Sequence, residues 1–308
     1  MILCCGEALV DMVPDGVGKD LHYRPKLGGS VFNTARALGR MGVEVGFLSG
    51  VSNDPFGEQL NKSLQESGVD TSTIVRGNGL TTLAFVHLDN GDATYRFYDE
   101  NSAGRMIYTQ DFPKISPDVQ AMFFGGISLC LDPAASTYHE IFDANTFGKV
   151  TMIDLNVRSD IATDSTAYFK RLKQMIAHSD IVKVSQDDLD LLIVGEHNPM
   201  EKLAMIKSEG PSIVILTEGS KGMRALHSDG KVVHVSAPKV TVKDTIGAGD
   251  TFNAGFLAML KNQNLLSKRE VNAISAANLQ KALEYGAKAA AIVVQREGAN
   301  PPWAAELV

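Results

Sequence analysis

Lys243–Phe256, KDTIGAGDTFNAGF, places three glycines and two aspartates in fourteen residues. Phe252, Phe256 and Leu260 then recur every fourth residue, so a helix is expected to begin near Gly249 or Asp250. The first N–H groups of a helix have no acceptor within it and carry partial positive charge. Gly247, Ala248 and Gly249 leave the turn free to aim those groups outward, with almost no side chain in the way. Such a turn suits a phosphate or a developing oxyanion. A carboxylate at Asp250 would repel a bound phosphate, unless it faces the other reactant. There it could take the proton of a hydroxyl attacking phosphorus, help typically worth ~10²–10⁴-fold. The neighbouring N–H groups would steady charge on the group in transfer. Taken alone, the stretch equally fits Asp244 or Asp250 capping a helix after a tight turn.

Other devices are absent from the sequence. No Gly-Lys pair precedes Ser or Thr, and no G-x-G-x-x-G occurs, so neither a Walker A loop nor a dinucleotide fingerprint is present. There is no H-E-x-x-H and no C-x-x-C, and the seven histidines are scattered. Surface or core roles suit them better than metal binding.

A second stretch lies more than 200 residues upstream: GGSVFNTARALGRMG, with Gly28, Gly29 and Asn33 leading into a helix rich in small residues. The pair resembles the two signatures of the ribokinase-like (PfkB-type) sugar kinases, whose C-terminal one reads D-T-x-G-A-G-D. The resemblance spans essentially the whole chain. It implies a three-layer α/β sandwich with a mostly parallel central sheet and a small β-sheet lid. It also implies transfer of the γ-phosphoryl group of ATP to a sugar hydroxyl, with Mg²⁺. By position, Asp250 is similar to the family's catalytic base, and Gly247, Ala248 and Gly249 to its anion hole. Asp11 matches the sugar-binding aspartate. Gly28 and Gly29 would let the sugar approach backbone, and the Asn33 amide can both donate to and accept from hydroxyls. DLNVR, Asp154 to Arg158, is similar to a D-x-N-x-R element whose Arg158 would reach the phosphates or the sugar. LTEGSKG resembles a T-x-G-x-x-G nucleotide loop and nominates Thr217, Gly219 and Gly222. Ala287 and Asn300 are nominated for the adenine pocket. Where the family often carries N-x-x-E, this chain reads SQDD, leaving Asp188 to place Mg²⁺ through water. Asp244 and Ile246 correspond to a monovalent cation site, for potassium, found in relatives.

The substrate should be read by the lid, expected from about residues 12–27 and 80–105. Its end, YRFYDENSAGRM, is similar to that of bacterial fructokinases, and Tyr98 is nominated for sugar contact. Kinases of 2-keto-3-deoxygluconate carry an Arg near the position aligned with Asp99. Two acids, Asp99 and Glu100, would repel such a keto-acid and favour a neutral ketose, D-fructose first. An aminoimidazole riboside or nucleoside is the further alternative, with Tyr95, Phe97 or Tyr98 forming an aromatic slot. From another class comes an idle sugar sensor on the same fold.

Elements must exist to hold these residues. ILCCGEALVDM reads as a buried first strand, and VDMVPDGVGKDLHYRP as two short strands around a turn. TTLAFVHLDNGDATYRFYDE is two β-prone runs around Asn90-Gly91, a hairpin signal. NDPFGEQLNKSLQESGV reads as a capped helix. From about residue 120, strands at AMFFGGIS, VTMIDLN, DIVKVS and SIVILTEG alternate with helices, the pattern of a parallel sheet covered on both faces. The 308 residues suffice for one large α/β body with a small β excursion. The net charge is −7, with no basic cluster, which argues against nucleic acid and anionic membrane. No segment is apolar enough to span a bilayer, and the N-terminus lacks the form of a signal peptide. Cys4, Cys5 and Cys130 are no disulfide framework and suit a reducing cytosol. Open strand edges on the lid suggest a homodimer through it.

Overall fold

A computed structural model describes residues 1–16, 18–89, 92–227 and 229–308. Strand β1, Ile2–Cys5, shows why its sequence is apolar throughout. Side chains of a strand alternate between faces. Ile2 and Cys4 enter one core, Leu3 and Cys5 the other. Both faces of the sheet are therefore covered, as parallel sheets require.

The chain then leaves for a second sheet. Strands β2 (Leu9–Asp15) and β3 (His22–Gly28) form an antiparallel pair. ILCCGEALVDM is thus two strands of two sheets, not the single strand expected, and Asp11 lies within β2. The break falls at Gly6, where a Cβ would lie 2.4 Å from Val31, and at Glu7, whose carboxylate is used elsewhere.

Helix α1 (Ser30–Arg40) returns to the body, followed by β4 (Val45–Ser52), α2 (Pro55–Glu66), β5 (Val69–Asp70) and β6 (Ile74–Gly77). As expected, Asp54 caps α2, accepting from the Gly57 N–H at 2.8 Å. β7 (Leu83–Asp89) and β8 (Asp92–Tyr98) complete the second sheet in the order β3-β2-β7-β8. β7 and β8 pair antiparallel, while the expected Asn90-Gly91 turn lies outside the described residues.

The alternating part follows: β9 (Ala121–Gly125), α3 (Ala134–Asn145), β10 (Val150–Asp154), α4 (Ser165–His178), β11 (Ile181–Ser185), α5 (Gln186–Leu192), α6 (Pro199–Ser208) and β12 (Ile213–Thr217). β13 (Met223–Leu226) and β14 (Val232–Val235) add an antiparallel edge that the sequence reading did not anticipate. Helices α7 (Ala248–Asn262), α8 (Lys268–Asn272) and α9 (Ala276–Val293) close the chain. The main sheet runs β14-β13-β12-β11-β10-β9-β1-β4-β5, with β6 also beside β4. Residues of α1, α2, α7, α8 and α9 share one core, and those of α3 to α6 the other. Among the described residues no helix is long and apolar enough to cross a membrane.

Strand order reverses at β1, which has β4 on one side and β9 on the other. The carboxyl ends of strands at such a point are where open α/β sheets bind ligands. α7 is pressed against α9 there by two glycines. A Cβ on Gly255 would lie 2.8 Å from the Gly286 Cα, and one on Gly286 would lie 2.8 Å from the Phe252 ring. Gly286→Val should therefore cost roughly 1–3 kcal/mol by overpacking. A urea unfolding midpoint equal to the parent's would contradict this account of the helix contact.

Candidate active site

Gly247 is the N-cap of α7, with φ +77°. A Cβ there would come 2.7 Å from the Ala299 Cβ and would also strain the backbone, so glycine is required on both counts. The helix starts at Ala248, slightly earlier than the spacing suggests. Ala248 N–H donates to the Thr245 carbonyl at 3.2 Å. It is therefore engaged in the turn, unlike the expected free donor. The N–H groups of Gly247, Gly249 and Asp250 make no hydrogen bond among the described residues. These three are the unsatisfied donors of the helix end.

Asp250 stands in the first turn. Its Oδ2 accepts from Asn33 Nδ2 at 2.9 Å, and its backbone carbonyl from Thr34 Oγ1 at 3.3 Å. The two sequence signatures, 217 residues apart, thus meet in one side-chain bond. Burial pushes the Asp250 carboxyl up to about 7. The Asn33 bond opposes this, Asp154 adds to it, and Lys183 works against it. Asp11 is also pushed up to about 7, by burial and then by Glu7. Both are tuned toward the range where a general base works best.

The cleft around them has a volume of about 320 Å³, within the usual span for ligand pockets. Asp11, Gly29, Asn33, Arg158, Ile246 and Gly247 to Asp250 all line it, as the sequence suggested. Gly28 does not line it, but a Cβ there would lie 2.2 Å from Asp11 Oδ2, so its role is to make room for that carboxylate. Arg158 donates from Nη1 to the Val157 carbonyl at 2.9 Å and has no acidic partner among the described residues.

Glu7 and Lys183, which the sequence reading did not nominate, also line the cleft, with Asp154 and Asn156 of the D-x-N-x-R element and with Tyr95 of the aromatic slot. Glu7 Oε1 accepts from the Ser30 N–H at 2.8 Å, and Oε2 from Ser128 Oγ at 2.8 Å. It fills the N-terminal end of α1 with the chain's own carboxylate. Lys183 Nζ lies 3.0 and 3.1 Å from the two Asp154 oxygens, both residues being buried. Asn253 Nδ2 donates to Asp154 Oδ2 at 2.7 Å. Lys183 carries a sequence signal: a charge within the apolar strand Ile181–Ser185 is costly unless paired.

Other nominations fall elsewhere. Tyr98 is 57% exposed and meets the Phe85 ring edge-on at 5.2 Å. The period of two sends Tyr95 and Phe97 into the cleft and Tyr98 to the opposite face. Asp99 is 9% exposed and accepts from Ser102 Oγ at 2.7 Å and from Thr82 Oγ1, so it is turned from the cleft. The selectivity argument built on Asp99 therefore does not reach the substrate side. Thr217, Gly219 and Gly222 lie outside the cleft, from the carboxyl end of β12 to the start of β13. Ala287 is buried in the core, and Asn300 Oδ1 accepts from Arg40 Nη1 at 2.7 Å. Asp188 caps its own helix with Ser185 at 2.6 Å and accepts from the Val157 N–H at 2.8 Å. Asp244 accepts from the Ile246 N–H at 3.0 Å and the Gly298 N–H at 2.8 Å, tying the loop before α7 to the C-terminal segment.

The raised carboxyl of Asp250 has a consequence for stability. Its ordinary value is near 4. Between about pH 4 and about pH 7 the folded chain keeps a proton that the unfolded chain has released. The contribution is full below about pH 4 and lost as pH rises through about 7. Asp250→Asn has no such loss and still offers Asn33 an acceptor. The variant should gain stability relative to the parent between about pH 5 and about pH 8, read by urea unfolding at both. An unchanged difference would contradict the assigned shift.

The chain matches the family of pfkB family carbohydrate kinases over residues 1–306. It is 45% identical over 273 residues to a fructokinase of Rhizobium leguminosarum bv. trifolii, covering 88% of this chain and 83% of that protein. A fructokinase of Klebsiella pneumoniae is 31% identical over 259 residues, 83% of this chain and 82% of the relative. Among solved structures, fructokinase with bound ATP from Xylella fastidiosa matches with a TM-score of 0.90 and 26% identity, covering 99% and 96% of the two chains. Aminoimidazole riboside kinase from Salmonella enterica, complexed with aminoimidazole riboside and an ATP analogue, matches with a TM-score of 0.84 and 26% identity, covering 99% and 98%. With two signatures joined at Asn33 and Asp250, a cleft at the sheet's switch point and a match along nearly its whole length, the chain belongs to the pfkB family of carbohydrate kinases.

Proposed function

We propose that this kinase transfers the γ-phosphoryl group of ATP to a hydroxyl of D-fructose, with Asp250 as general base. The observation carrying the base assignment is the geometry of Asp250: one oxygen held by Asn33, the carboxylate on the cleft, and three unsatisfied N–H groups beside it. Asp250 accepts the hydroxyl proton as the sugar oxygen bonds to phosphorus. The bond from phosphorus to the bridging oxygen breaks, and ADP leaves with the electron pair. The free N–H groups of Gly247, Gly249 and Asp250 face the charge that develops.

Fructose is favoured by the fructokinase relative at 45% identity and by the charge of the cleft. Glu7, Asp11, Asp154 and Asp250 line it against Arg158 and a Lys183 already paired with Asp154. Such a surface accepts from neutral hydroxyls and repels a carboxylate. Asp11 reads adjacent hydroxyls, and Tyr95 and Phe97, 6.2 Å apart and nearly parallel, cover an apolar sugar face. The same aromatic pair supports aminoimidazole riboside as the second reading.

ATP would lie over the carboxyl ends of β11 and β12, with Thr217, Gly219 and Gly222 beside it. Mg²⁺ would arrive on its phosphates, with Asp188 reaching it through water. Asp244 and Ile246 remain our proposed monovalent cation site. The small sheet would act as a lid, closing to exclude water. Its outer face carries Tyr23, Phe85 and Tyr98 in edge contact, a patch suited to a second copy of the chain. The three buried free thiols suit a cytoplasmic setting.

ADP release should be strongest with D-fructose when it is set beside 2-keto-3-deoxygluconate, D-ribose, aminoimidazole riboside and glucose. Preference for the keto-acid would overturn the charge argument. Nucleotide binding without turnover on any sugar would favour an idle sensor. Sedimentation should give a dimer that Tyr98→Glu weakens; a monomeric parent at assay concentration would remove the interface.

A further inference from the structure

Gly249 is an unusual place for a glycine. It lies in the first turn of α7 and has no positive φ, so its backbone does not require it. Beyond its chain neighbours and the backbone of its own helix, a Cβ at this position would meet, within 4 Å, Lys183 Nζ at 3.2 Å. The missing side chain thus keeps a passage open between the helix end and a buried ammonium.

Lys183 reaches that passage from β11. Its side chain is 7% exposed, yet it lines the cleft. Its only hydrogen-bond partner among the described residues is Asp154, which takes at most two of its three N–H groups. Burial, the largest single influence, disfavours the ammonium, but Asp154, with Asp188 and Asp250, overrides it and holds the proton on. Asp154 is itself fixed by Asn253 from the second turn of α7. The lysine is therefore anchored to the same helix whose N-terminus forms the anion site.

We propose that Lys183 is a second catalytic residue, whose ammonium contacts the phosphoryl group in transfer through the gap left by Gly249. The inference rests on the kinase reading above and adds a cation to its neutral N–H donors. Lys183 exchanges no proton in the step. It stays an ammonium while Asp250 takes the sugar proton and ADP takes the electron pair. Its role is to oppose the charge on the transferred oxygens from the side facing the helix end. A point charge in so dry a place opposes that charge more strongly than one in water.

The test uses the full chain with two variants and a readout independent of turnover. Lys183→Gln removes the charge but keeps a donor for Asp154. Gly249→Ala fills the gap in a backbone conformation that alanine adopts readily, so folding should persist. ADP with Mg²⁺, D-fructose and aluminium fluoride mimics the group in flight. In the parent, aluminium fluoride should tighten ADP binding. Each variant should bind ADP alone within about threefold of the parent and lose the extra tightening, with kcat falling roughly 100-fold or more. Adding Gly249→Ala to Lys183→Gln should then cost little further. Full tightening in Gly249→Ala, whatever the fate of Lys183→Gln, would overturn the proposal. So would a double variant in which the two losses multiply. Sugar-dependent turnover that survives Asp250→Asn would instead sink the kinase reading beneath it.

Discussion

A carboxylate buried beside the unsatisfied end of a helix is the constraint from which this site is built. Asp250 is useful there only if something holds its side chain toward the sugar and away from the phosphate. In the proposed reaction Asn33 would do so from α1, through its bond to Asp250 Oδ2. That bond fixes how α1 must meet α7, and other features follow from it. Glu7 caps the start of α1 with its own carboxylate. Gly28 leaves room for Asp11, and Gly247 leaves room for Ala299. Gly255 and Gly286 let α7 lie close against α9. The glycines are scattered in sequence, but these four serve one geometry.

The charges in the cleft are out of equilibrium with what stability alone would choose. Four acids share a small volume, and two of them, Asp11 and Asp250, are driven to about 7. A base with that proton affinity is worth having at neutral pH, and burial is what produces it. The same burial disfavours the ionised form that catalysis needs. Lys183 and Asp154 offset one another, so the strand that supplies a cation to the cleft, β11, has its counter-charge on the neighbouring β10.

Much of this was legible in the sequence because it is local. The glycine-aspartate turn, the capped α2 and the alternating strands follow from short-range rules, and each appears where expected. What was hidden depends on pairing across the fold. Tyr98 has the right chemistry for sugar contact, but only the register of β7 and β8 shows that Tyr95 and Phe97 face the cleft. Asp99 looked like a selectivity residue until Thr82 and Ser102 enclosed it. Asn300 looked like part of a nucleotide pocket, yet Arg40 on α1 takes its oxygen. Glu7 gives no signal in the sequence, because a lone acid after a strand has no spacing to mark it. Ala248 carries the right residue type for the anion turn, but its N–H is spent on Thr245. The bond from Arg40 to Asn300 joins residues 260 apart in sequence, so no window of the sequence contains it, and even the local bond at Ala248 depends on how the turn is folded.

The most direct measurement is the first turnover of phosphoryl transfer from ATP to D-fructose by rapid quench, in the parent and in Asp250→Asn at saturating substrates. The account expects the parent rate to climb with pH through about 7, as Asp250 ionises. It expects the variant to lose roughly 10²–10⁴-fold while fructose still binds. A variant that transfers phosphate at the parent's rate would contradict Asp250 as the base, and with it the reading of the whole cleft.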